Sequence, residues 1–280
     1  MYLIDLPFKN KIKKSTSVET SLKVRKSLKI VRIVTTIFLI ALLWFVCLII
    51  SVVNNLDGNL LAMTTTYAIV RGWFRLKGNV QINSKERYLS RHDDFILYLR
   101  AFEADFYDKS PQSHSFESCL AKAIKKRGAN ICAIGMTKEL DAPVGAERVY
   151  VADESWQKDV SELMQKAKMI FILMSDRQSC IWEITQGAKM LNKICFIFDD
   201  IDKYERIKND KTHNIPFPEF EIFVSKLGDK QLDKASDFEN RYIGFMINGS
   251  DLEAFTFSNP ITPQKINTEL DKIQQIRNLL

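Results

Sequence analysis

The chain has 280 residues and a formal net charge of +6, from 40 Lys or Arg and 34 Asp or Glu. The excess is confined to residues 1–32, which hold nine basic and two acidic residues, so the other 248 residues carry a charge of −1. Nucleic-acid-binding domains carry a basic surface on their folded part, so the composition argues against direct sequence-specific binding of nucleic acid.

The cysteines and histidines bear on metal binding and on the compartment. The five cysteines form no CxxC pair, and the three histidines lie far apart in the sequence. Neither pattern matches a zinc site, and scattered cysteines with apolar neighbours are typical of a reducing compartment. We therefore predict no metal site and a folded part that faces a reducing compartment.

The longest apolar segment runs from Ile33 to Val53 and contains no charged residue and no proline. A helix of this length spans about 30 Å, which matches the hydrocarbon core of a bilayer. The segment lacks the polar face of a helix at the surface of a soluble domain, although a core helix of a large soluble domain is an alternative. The basic lead is long and no small-residue cleavage site follows, which predicts a retained anchor rather than a signal peptide.

A second, weaker apolar segment, Leu60 to Phe74, follows a polar turn at residues 54–59. The turn has no Lys or Arg, whereas basic residues flank the outer ends of both segments. The positive-inside rule then predicts a transmembrane helical hairpin, with both termini in the cytoplasm. Alternatively, the second segment lies on the membrane, which would place the C-terminal domain outside. The predicted division is a basic cytoplasmic tail at 1–32, the hairpin at 33–75, a juxtamembrane connector at 76–94 and an α/β domain at 95–280.

The rest of the chain alternates between apolar and amphipathic segments. Apolar runs typical of buried parallel strands occur at residues 95–99, 130–135, 168–174 and 193–198, and helical patterns at 116–128, 155–167, 180–191 and 263–280. This alternation predicts an α/β fold, with a doubly wound parallel sheet covered by helices on both faces. After residue 199 the pattern weakens: residues 200–215 are polar, residues 217–224 fit a strand or a short helix, and residues 242–257 fit an edge strand.

Open α/β sheets bind ligands at the carboxyl ends of their strands, and three predicted loops lie there. The first carries Arg100 and Phe102, the second spans residues 135–148, and the third begins at Ser175. The third loop is the most informative, because Glu183 follows one turn into a helix whose N-terminus favours anionic phosphate.

The third loop and its helix follow an apolar strand and read Ser175-Asp176-Arg177-Gln178-Ser179-Cys180-Ile181-Trp182-Glu183. This segment resembles the corresponding part of TIR domains and of the related nucleoside deoxyribosyltransferase-like domains. In enzymatic TIR domains, the glutamate at this place is the catalytic residue that splits the bond between nicotinamide and ribose. The resemblance implies Glu183 as the catalytic candidate. It also implies a set of residues that contact NAD or a related nucleotide, as substrate or ligand: Arg100, Phe102, Ser175, Ser179 and Trp182.

Several of these residues also have a simpler interpretation. Glu183 is alternatively a solvated residue that caps the first turn of its own helix, and Trp182 alternatively packs under the sheet. Glu147 and Arg148 are predicted to form a surface salt bridge rather than a site. Asp199-Asp200 is predicted to form a polar turn, because no third metal ligand accompanies the pair.

A two-span anchor joined to a TIR-like domain resembles bacterial anti-phage effectors, including the two-span effectors of retron systems. The resemblance implies a toxin that perturbs the inner membrane and causes abortive infection, with the TIR-like domain sensing a signal or binding a partner. The implied partners are the lipid bilayer, further copies of the chain, or an inhibitory partner such as a reverse transcriptase–nucleic acid complex. The alternatives are a membrane-tethered NAD or nucleotide N-glycosidase, and a membrane receptor domain without toxicity.

Overall fold

The chain forms two compact units, residues 1–80 with 137–142 and residues 81–136 with 143–280. The computed structural model describes residues 18–54, 82–100, 116–136, 145–210, 217–219, 241–248, 251–258 and 261–277, together with residues 63, 66, 67, 222 and 226.

Helix α1, Val18–Asn54, is the main described element of the first unit, and its 37 residues give a length of about 55 Å. Among the described residues it is the one helix long and apolar enough to cross a membrane, over Leu22–Val46, with a mean hydropathy of 2.2 in its most apolar window of 18 residues. Many of its large apolar side chains are exposed, namely those of Ile30, Val34, Ile37, Phe38, Leu39, Leu42, Phe45, Val46 and Ile49. The helix begins before the predicted anchor, so the basic residues from Lys23 to Arg32 belong to the same helix.

Three residues of the predicted second span are described. Met63, Thr66 and Tyr67 are helical, and the indole Nε1 of Trp44 in α1 donates a hydrogen bond to Thr66 Oγ1 at 2.7 Å. The other residues of the range 60–74 lie outside the described part of the chain. The described residues therefore show one apolar helix, and the two-span hairpin stays a prediction.

The second unit contains, within its described residues, an eight-stranded sheet with the order β1-β4-β3-β2-β5-β6-β7-β8. The strands are β1 Ile82–Ser84, β2 Phe95–Leu99, β3 Asn130–Met136, β4 Glu147–Val151, β5 Met169–Leu173, β6 Ile194–Phe198, β7 Arg241–Asn248 and β8 Asp251–Ser258. Strands β1 to β6 pair in parallel, whereas β7 pairs antiparallel with both β6 and β8. The predicted α/β fold with a mostly parallel sheet is confirmed.

Helices of this unit cover both faces of the sheet. They are α2 Lys85–Leu89, α3 Phe116–Lys126, α4 Trp156–Lys166, α5 Gln178–Gly187, α6 Ile201–Asn209 and α7 Pro263–Arg277, with a 3-10 helix at Ala188–Lys193 after α5. Buried side chains of α4, α5 and α6 pack with strand residues such as Leu97 and Ile172. Those of α3 and α7 pack with the alternate strand residues, such as Ile96 and Phe171. Successive strand residues point to opposite faces, so a hydrophobic core forms on each side.

Several elements differ from the sequence prediction. The sequence does not predict strand β4, because the two charged residues Glu147 and Arg148 interrupt the apolar run. Helix α6 forms in a segment whose polar composition did not predict a helix, and its buried residues are Tyr204 and Ile207. Residues 242–248 and 251–257 belong to two antiparallel strands rather than one edge strand. Strand β1 lies within the predicted connector and pairs with β4, and of residues 217–224 only 217–219 and 222 are described.

Candidate functional site

The strand order switches direction between β2 and β5, and open α/β sheets have a crevice at the carboxyl ends of the strands at such a point. These strands are parallel neighbours, with Leu99 opposite Ile172, yet the chain continues from β2 to β3 on one side and from β5 to β6 on the other. Helices α3 and α5, which follow β2 and β5, cover opposite faces of the sheet. Open α/β sheets bind ligands where the strand order switches in this way. Two residues singled out in the sequence therefore lie at this edge of the sheet: Arg100, which follows β2, and Ser175, which lies just after β5.

On the α3 side of the crevice, two arginines surround one buried carboxylate. Glu117, in the first turn of α3, lies 3.2 Å from the Nε of Arg100, the residue that follows β2. The Nη2 of Arg148 in β4 lies 3.0 Å from the same carboxylate. Arg148 has no exposed surface and Glu117 is 3% exposed. Buried charges of this kind need a close partner, because removal from water is costly.

The same carboxylate holds the turn that leads into β4. The backbone N–H of Ala146 donates to Glu117 Oε1 at 3.2 Å. The preceding residue, Gly145, has a φ of +150°, and a Cβ at this position would lie 2.9 Å from Glu117 Oε1. Glycine is required there because the backbone conformation is one that other residues rarely adopt and because the carboxylate fills the space. Glu117 thus fixes the start of α3 against the start of β4.

The predicted surface salt bridge between Glu147 and Arg148 is wrong. Neighbouring residues of a strand project to opposite faces, so these two side chains cannot meet across β4. Arg148 reaches Glu117 inside the core, whereas a Glu147 carboxylate oxygen lies 3.7 Å from His92 Nε2. The Glu117–Arg148 pair is not among the contacts predicted from the sequence. The available signal was an arginine in an otherwise apolar stretch together with a glutamate in the first turn of an amphipathic helix.

On the α5 side, the predicted binding residues lie at the start of the helix. Helix α5 begins at Gln178, two residues before the helical pattern predicted at 180–191, and both Ser175 and Ser179 are partly buried. The hydroxyl of Ser175 accepts a hydrogen bond from the backbone N–H of Arg177 at 3.4 Å. Trp182 packs against Trp156, with ring centroids 4.7 Å apart, at the margin of the hydrophobic core.

Glu183 lies inside the core rather than in the open crevice. It is 2% exposed, and its Oε2 makes no hydrogen bond to any described residue. Burial raises the pKa of this carboxyl from its ordinary value near 4.5 to about 8, because the charged form is poorly solvated there. The alternative of a solvated capping residue is wrong. At neutral pH this group keeps its proton, which suits a proton donor better than a nucleophile.

The remaining sequence candidates are placed as follows. Phe102 lies outside the described residues. Asp200 caps α6 by accepting a hydrogen bond from the N–H of Lys203 at 3.1 Å, and Asp199 pairs with Lys203 Nζ at 2.8 Å. Within the described ranges, no group of three or more His, Cys, Asp or Glu is placed to hold a metal ion.

Comparisons of the chain with protein-family models, with curated proteins and with solved structures found no match.

Proposed function

We propose that this protein is a membrane-anchored effector of a bacterial anti-phage defence system, which causes abortive infection by perturbing the inner membrane. One observation carries the proposal, the exposed apolar surface of α1 from Ile30 to Val46. Leu42 is 49% exposed, Phe38 66% and Phe45 62%. Continuous apolar surface of this extent is not stable in water, whereas a lipid environment solvates it.

Two further observations support a hairpin with the α/β unit in the cytoplasm. The Trp44–Thr66 hydrogen bond joins α1 to a residue of the predicted second span, as expected where a second helix returns beside the first. Cys119, Cys132, Cys180 and Cys195 are all buried and form no disulfide, as expected in a reducing compartment. In this topology the polar turn at residues 54–59 faces the periplasm and the chain ends in the cytoplasm.

The α/β unit acts, in this proposal, as the sensor that controls the hairpin. The crevice between β2 and β5 has the position of a ligand site in open α/β sheets, and the planar guanidinium of Arg100 at its edge suits a phosphate or carboxylate. A nucleotide related to NAD is the expected ligand, on the TIR resemblance. Binding of the ligand, or release of an inhibitory partner, then lets several hairpins assemble.

A membrane-tethered NAD or nucleotide N-glycosidase is the second candidate. The position of Glu183, one turn into the helix after β5, and its pKa of about 8 favour this alternative. Its burial argues against it, because a substrate cannot reach a side chain that is 2% exposed without opening of the core. The effector proposal needs no such opening.

Replacing Leu42 by arginine is expected to abolish both membrane insertion and toxicity. An arginine at the centre of a spanning helix costs about 2.5–3.5 kcal/mol on insertion scales, and Leu42 lies near the middle of the predicted anchor Ile33–Val53 with an exposed side chain. The measurements are carbonate-resistant membrane association and the membrane potential of expressing bacteria, followed with a potential-sensitive dye.

The matched control is Leu42→Ala, which removes apolar volume without adding charge and should keep insertion and depolarisation. Wild-type protein that stays in solution without detergent would contradict membrane anchoring. Growth arrest with an intact membrane potential would contradict the effector mechanism.

A further inference from the structure

An exposed stripe of lysines runs along the first part of α1. Lys23, Lys26 and Lys29 are all exposed, and their spacing of three residues spreads them over an arc of about 120° on the helix. The two arginines of this segment, Arg25 and Arg32, are buried. The exposed side of the segment is therefore basic through its lysines.

The exposed side of α1 changes from basic to apolar directly after Lys29. Ile30 is 54% exposed, Val34 59% and Ile37 62%, and helical geometry places them on the side that carries the lysines. The surface passes from ammonium groups to branched apolar side chains within one turn. A bilayer presents the same succession, since its polar headgroups lie directly over the hydrocarbon.

We propose that Lys23, Lys26 and Lys29 bind the phosphate groups of anionic phospholipids in the leaflet that α1 enters. This inference rests on the membrane insertion proposed above. An ammonium group is a compact charge with three hydrogen-bond donors, and each lysine close to an anionic leaflet adds attraction. The exposed ion pair between Lys23 and Glu19, at 2.8 Å, is of a weak kind and can exchange for a lipid phosphate.

The test uses the full-length protein in nanodiscs that contain equal amounts of phosphatidylglycerol and phosphatidylcholine. Lipids that stay bound after transfer to detergent are counted by native mass spectrometry. Wild-type protein should retain phosphatidylglycerol in preference to phosphatidylcholine. The K23Q/K26Q/K29Q variant should lose at least about tenfold of this preference, because each lysine near the surface contributes a severalfold effect.

The control variant K126Q/K158Q/K189Q changes the net charge equally, at three exposed positions of the second unit, and should keep the preference. An unchanged preference in K23Q/K26Q/K29Q, or an equal loss in the control, would overturn the lysine site. A competition experiment adds inorganic phosphate, or chloride at equal ionic strength, to the wild-type protein. If phosphate abolishes the preference for phosphatidylglycerol and chloride does not, the lipid site is also overturned, because the lysines would then bind a free anion.

Carbonate washing of the same samples separates this inference from the proposed function. Wild-type protein that fails to integrate overturns the membrane function itself. Protein that integrates but shows no lipid preference overturns only the lysine site.

Discussion

Replacing Glu117 by glutamine is expected to lower the free energy of unfolding of the α/β unit by about 3–5 kcal/mol. The carboxylate is 3% exposed and lies within 3.2 Å of nitrogen atoms of both Arg100 and Arg148. Glutamine removes the countercharge that Glu117 provides to the buried Arg148, and the interior solvates that charge poorly. Tryptophan fluorescence of the full-length protein in detergent should show a melting temperature lower by roughly 6 to 20 °C.

A second variant tests whether the stability depends on the pairing of Glu117 with two arginines, and not only on the burial of these side chains. Arg148→Met should cost less stability than Glu117→Gln, because Arg100 still pairs with the carboxylate in the methionine variant. Glu154→Gln, at an exposed position, is the matched control and should change the stability by less than about 0.5 kcal/mol. If Glu117→Gln behaves like this control, the carboxylate does not hold the cluster together.

Glu183 is expected to make the protein less stable as the pH rises from about 4.5 to 8. Burial raises the pKa of the folded-state carboxyl to about 8 from an ordinary value near 4.5. Within this window the unfolded chain releases the proton and the folded chain keeps it, so unfolding becomes easier with rising pH. The contribution is present in full below the unfolded pKa and is lost towards pH 8, with a slope of up to about 1.4 kcal/mol per pH unit.

The measurement is the melting temperature of wild type and Glu183→Gln across this pH window. Glutamine does not titrate, so the variant should lose the downward slope that Glu183 contributes. Glu154→Gln should keep the slope of the wild type, because this side chain is exposed. Equal slopes in wild type and Glu183→Gln would show that Glu183 is ionised and solvated in the folded protein.

The same variant separates the two candidate functions. If the protein is an effector that acts through its membrane helices, Glu183→Gln should still depolarise cells. If it is an N-glycosidase, the variant should abolish both the loss of cellular NAD and the toxicity. Leu42→Arg should abolish depolarisation in the first case and leave NAD cleavage by the α/β unit intact in the second.

The sequence pattern identified the central strands correctly because they are buried on both faces. Such strands appear as short, nearly continuous apolar runs, as at Phe95–Leu99 and Ile194–Phe198. The pattern missed β4, because an arginine in the sequence indicates a solvent-exposed position when its buried partner is unknown. It also missed α6, whose apolar contribution is limited to two buried residues.

The sequence by itself determined that α1 is an apolar helix of membrane length and that a mostly parallel sheet follows, because both properties depend on local runs of apolar residues. Only the tertiary structure decided which charged residues are buried. Glu117 and Arg148 are 31 residues apart, and no periodicity links them. Their pairing, like the burial of Glu183 and the crevice between β2 and β5, depends on the strand order, which brings distant segments together and determines which side chains lose contact with water.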